Sequence, residues 1–70
     1  MNTENKEKIE AAVFRRLLHH LQENTDLQNI DLMNLAGFCR NCLSKWYVEA
    51  SIENGHEINY AKAKEIVYSM

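Results

Sequence analysis

"DLMNLAGFCRNCLSKWYVEA", residues 31 to 50, decides the fold. It holds both cysteines of the chain, its single tryptophan and one of its two glycines, and everything turns on whether Gly37 interrupts a helix. At about 100° per residue, Leu32, Leu35, Ala36, Cys39, Leu43, Trp46 and Ala50 share one face, with Cys42 and Tyr47 on its margins. That stripe keeps its phase through Gly37, so the spacing predicts one continuous helix from Leu32 to Glu53. Gly37 is then tolerated at about 1 kcal/mol relative to Ala. Asp31 is the expected N-cap, with Ile30 stapled onto Leu35, and Asn54 with Gly55 marks the end.

The flanking segments read the same way. Residues Glu4 to Glu23 form a helix capped by Asn2 or Thr3, with Val13, Phe14, Leu17, Leu18 and Leu21 on its apolar side. A polar link, "NTDLQN", follows, and Thr25 with Gln28 has the form of a capping box around a short turn. A last helix from Tyr60 to Ser69 is capped by Asn59 and presents Ala63, Ile66, Val67 and Met70 on one face. With no proline and no sustained alternation, the 70 residues predict a single all-α domain, an array of three main helices around the long central one. Leu17 and Leu21 are expected to meet Cys39, Leu43 and Trp46 in its core.

Composition narrows the function classes. Eight Lys and Arg are scattered among ten Asp and Glu, a net charge of -2, so no basic stripe exists for a phosphate backbone and no nucleic acid is expected as a partner. No apolar run approaches the ~20 residues of a membrane span, and the N-terminus is polar where a signal peptide needs an apolar segment. The expectation is a cytoplasmic protein, in whose reducing surroundings two cysteines are thiols, metal ligands or catalytic groups rather than a stable disulfide.

Cys39-x-x-Cys42 is the one motif with chemistry in it. In a continuous helix Cys39 falls in the third turn, where backbone N–H groups are already bonded and cannot favour a thiolate, so the pair reads as apolar packing. The alternative is a thiol or zinc site on Cys39 and Cys42, with His20 as a further ligand, since zinc takes Cys and His donors. His19 reads as solvated and His20 as a residue at the core margin. Glu23, Asp26 and Asp31 have local roles in capping and pairing and suggest no acid–base site. Trp46 and Tyr47 read as core. Members of the polar run Asn29, Asp31, Asn34, Arg40 and Asn41 could hydrogen-bond backbone or a ligand, but the run is expected to be solvated or to face a partner.

The residues "NIDLMNLAGFCRNCLSKWY", followed by "AKEIVYSM", resemble the bacterial family known as domain of unknown function 1244. The resemblance implies a helical bacterial cytosolic protein and no particular activity, catalytic residue or cofactor. The function expected is a non-enzymatic interaction module. Gly37, Asn41, Ser44, Val48 and Ile52 form a second seam on the central helix, from which a homodimer is expected unless the last helix covers that seam.

Overall fold

The computed structural model describes residues 3–69, and in it the chain folds into four helices: α1 (Thr3–Glu23), α2 (Asn29–Ala36), α3 (Arg40–Glu53) and α4 (Tyr60–Ser69). No strand occurs among the described residues, so the all-α class is as expected. Two expectations, the Asn2 cap and the place of Met70 in the last helix's apolar face, lie outside the described residues. No helix of the described residues is long and apolar enough to cross a membrane.

α1 has the expected span, but only its second half reaches the core. Leu18 and Leu21 are buried, Phe14 and Leu17 pack partly against them, and every described residue from Thr3 to Val13 is exposed. Asn24 closes the helix through its backbone and side-chain amides, both donating to the His20 carbonyl, and the Leu27 N–H then returns to the Asn24 carbonyl at 3.0 Å to make the expected turn.

α2 begins three residues earlier than expected, with Gln28 rather than Asp31 as N-cap. Asp31 instead acts from the third helical position, where its carboxylate accepts the Gln28 N–H at 3.1 Å. This is one arm of a capping box between Gln28 and Asp31, and it places a negative charge near the helix N-terminus.

The larger correction is at Gly37. The central helix is not continuous: Gly37 takes the left-handed conformation (φ 76°, ψ 12°), its N–H bonds to the Met33 carbonyl at 3.1 Å, and α2 ends there. Phe38 and Cys39 are extended or irregular, and α3 starts afresh at Arg40. The break turns Leu35 (84% exposed) and Ala36 out of the stripe they were expected to share, and no staple of Ile30 on Leu35 forms a buried contact. A continuous helix would keep a few backbone bonds worth about 1 kcal/mol each. Breaking it lets Arg40 swing into a set of main-chain carbonyls, as described below, and hydrogen bonds from a charged donor are worth about 1.5–3 kcal/mol apiece. The second sum is the larger.

α3 ends as expected at Asn54 and Gly55 (φ 76°), with His56 N–H returning to the Ser51 carbonyl at 2.8 Å. The Asn59 side chain caps α4 by accepting the Lys62 N–H at 2.8 Å. Leu18, Leu21, Leu32, Cys39, Leu43 and Val67 form the core. α4 packs on α3 and, less extensively, on α1, where the Gln22 side chain donates to the Val67 carbonyl at 2.9 Å. The seam expected on α3 therefore has a neighbour within the chain. Ser44 and Ala63 are fully buried and Asn41 bonds to Tyr68 of α4, whereas Ile52 stays exposed and Gly37 has left the helix. Trp46, expected in the core, is half exposed and packs on Phe38 with ring centroids 6.1 Å apart.

Candidate functional site

The break at Gly37 relocates the cysteines. Cys39 is the N-cap of α3 in extended conformation (φ -145°) and Cys42 lies in the first turn, so the pair occupies a helix N-terminus and not the middle of a long helix. Cys39 packs in the core as expected, but the expectation that it is inert rested on a mid-helix position and loses that premise. Cys39 is 8% exposed, Cys42 is half-buried, and both are free thiols, the Cys39 S–H donating to Cys42 Sγ at 3.7 Å.

The surroundings of Cys39 act in opposite directions. Burial pushes its thiol up; the N–H and thiol of Cys42, the N–H of Asn41 and the charge of Lys45 pull it down, and the net result lies below the ordinary thiol value. In the thiol form the sulfur makes no formed cap hydrogen bond, so these donors exert an attraction that grows when the proton leaves. Cys42 has a second sulfur beside it, Met33 Sδ at 3.9 Å. Phe38 and Trp46, their rings tilted by 32° against one another, come from the positions just before Cys39 and one turn after Cys42.

Arg40 and Asn41, the two residues between the cysteines, are the scaffold of the site. Arg40 is 7% exposed, and its guanidinium donates to the carbonyls of Leu27 (2.7 Å), Leu21 (2.8 Å) and Asn24 (3.1 Å) and to Asn29 Oδ1 (3.1 Å). Its backbone N–H also reaches Asn29 Oδ1, at 3.2 Å. Leu21 and Asn24 stand at the C-terminal end of α1, whose dipole is negative, so the cation is held by main-chain dipoles. Asn29 then donates to the Tyr68 hydroxyl at 3.1 Å, and that hydroxyl donates to Asn41 Oδ1 at 2.6 Å. The polar run expected to be solvated is thus in large part an internal network that joins α1, α2 and α4 to the start of α3. Among the described residues no buried side-chain nitrogen or oxygen lacks a partner.

Among the described residues no group of three or more His, Cys, Asp or Glu side chains is placed to hold a metal ion. His20, the expected further ligand, is exposed and lines a groove of about 620 Å³ on α1 with Arg15, Arg16, His19, Gln22 and Glu23, a set that includes neither cysteine. His19 is solvated as expected and faces Glu23 at 3.4 Å.

Residues 27–70, more than half of the chain, match the model of a family described as protein of unknown function (DUF1244). The chain belongs to the DUF1244 family. Its matched segment carries α2, α3 and α4, and with them the dithiol, Arg40, Asn41 and Tyr68. α1 precedes the DUF1244 segment and contributes Leu21 to the Arg40 cage from outside it. No curated protein matches the chain.

Proposed function

We propose that Cys39 and Cys42 form a reversible dithiol–disulfide pair. The observation that carries this reading is two free thiols 3.7 Å apart at the N-terminus of α3, one of them 8% exposed with backbone donors aimed at its sulfur. A disulfide needs its sulfurs at about 2.05 Å, a gap that side-chain rotation within one helical turn can close. A thiolate held at a helix N-terminus is the form that attacks or leaves in exchange. In the reducing bacterial cytoplasm expected from the sequence, the pair rests as the dithiol. The test is to titrate the folded chain in redox buffers of graded potential and follow its intact mass. Loss of two hydrogens per chain, reversed by a reductant, is the expected result; a protein that forms only intermolecular disulfides contradicts it.

A second reading, a non-enzymatic interaction module that self-associates, is supported by apolar side chains left in solvent. Val13 is 65% exposed and Leu35 84%. Sedimentation across a concentration series separates it from a monomeric redox protein.

A further inference from the structure

The two cysteines are inequivalent in position, and their chemistry follows from that. We infer that Cys42 is the sulfur that exchanges with an external disulfide and that Cys39 is the internal sulfur that completes or releases each exchange. This rests on the dithiol reading above and adds to it the order of attack and the class of co-reactant.

The argument begins with access. Cys39 is a core residue, packed with Leu18, Leu21, Leu32, Leu43 and Val67. An external disulfide must bring the attacking sulfur into line with its S–S bond, and a sulfur enclosed by a core cannot offer that approach. Cys42 is only half-buried, and its sulfur faces Met33, which is 44% exposed. The open side of the motif is therefore the Cys42 side.

The chemistry then balances in both directions. In oxidation, the Cys42 thiolate attacks one sulfur of an external disulfide R–S–S–R, forming Cys42–S–S–R and expelling RS⁻. The Cys39 thiolate next attacks the Cys42 sulfur, forming the Cys39–Cys42 disulfide and expelling the second RS⁻. Two electrons pass to the external disulfide, and the two thiol protons end on two RSH molecules. In reduction an external thiolate RS⁻ attacks the accessible Cys42 sulfur, forming Cys42–S–S–R, and Cys39 leaves as thiolate; a second RS⁻ then attacks the R sulfur, forming R–S–S–R and releasing the Cys42 thiolate. The N–H groups of Asn41 and Cys42 and the charge of Lys45 stabilise that leaving group, and a lower thiol pKa makes it depart faster. The more common expectation, that the sulfur with the lower pKa makes first contact with substrate, conflicts here with its burial.

Glutathione disulfide is the probe, added to the reduced wild type and to the Cys39→Ser and Cys42→Ser variants. Serine suits the N-cap position of residue 39, and far-UV circular dichroism confirms that both variants are folded. The wild type should close its internal disulfide and retain no glutathione. Cys39→Ser should accumulate one glutathione on Cys42, and Cys42→Ser should react on the order of tenfold more slowly, as expected of an inaccessible sulfur. Faster glutathionylation of Cys39 in Cys42→Ser than of Cys42 in Cys39→Ser overturns the order of attack while the dithiol reading survives. A wild type that never closes its internal disulfide removes both.

Discussion

Arg40 shows how much one side chain can organise. Its guanidinium is buried and satisfied by three carbonyls and an amide oxygen from the end of α1, the following turn and the start of α2. Lysine carries the same charge on a single nitrogen and cannot span those oxygens. Arg40→Lys should lower stability by about 3 kcal/mol, the scale of one or two charged hydrogen bonds lost and their acceptors left bare. Denaturant melts measure this, and a loss well under about 1 kcal/mol, as at a solvated site, would contradict the cage. Cys39 gives a second test at this scale. The fold holds its thiol below the unfolded value, so the thiolate contributes stability in full above the unfolded thiol pKa of about 8.5, and that contribution is lost as pH falls through the folded value. Reduced wild type should therefore gain on Cys39→Ser as pH rises toward and past about 8.5, and a pH-independent difference in stability speaks against the lowered thiol. The sequence offers backbone bonding by the polar run around Arg40 and Asn41 only as the lesser reading, for a physical reason. Arg40 is recognised chiefly by main-chain oxygens, which every residue possesses, and the Asn41 contact comes from Tyr68, 27 residues away.

At the level of elements, the caps decided what could be read in advance. Asn59 and Gly55 act on backbone a few residues away, so the ends of α3 and α4 fell where the local pattern put them. Gly37 and Gly55 share the same left-handed φ of 76°, yet one was read as a terminator and the other as a tolerated interruption. The difference lay in the apolar stripe. Hydrophobic phase records only direction around an axis, so a stripe of apolar letters that runs through a link of three residues says nothing of whether the axis changes there. The break at Gly37 also decides the place of the cysteines, whose reactivity depends on where a helix begins. One substitution distinguishes the two readings by sign. In a continuous helix Gly37→Ala would stabilise the protein by about 1 kcal/mol. In the left-handed position observed, with open space around the missing Cβ, the same change should destabilise it by about 1 kcal/mol through backbone strain alone. Thermal melts of the reduced proteins decide.

The whole molecule is more extended than its length requires. Its Cα radius of gyration is 13.0 Å, with extents of 37 × 28 × 21 Å, against about 11 Å for a compact domain of this size. The first half of α1 carries Ile9 and Val13 at 50% and 65% exposure, outside the core cluster. Short helices without tertiary cover are marginal in water. In a monomer, the amides of residues 5–12 should exchange with solvent far faster than those of residues 17–21. Protection of that first segment that grows with protein concentration, with a matching rise in sedimentation coefficient, would show self-association through it. The arrangement at the other end of α1 has a different consequence. Because the two residues between the cysteines are anchored to α1, α2 and α4, the motif is not portable. A synthetic peptide of residues 37 to 47 would contain every atom of the dithiol, and Asn41 and Lys45 with it, but none of the partners that hold Arg40 and Asn41 in place. Transplanting these four letters onto the helix of another protein would transfer two sulfurs and leave behind the anchors that fix where their helix begins, distributed over residues as far apart in the chain as Leu21 and Tyr68.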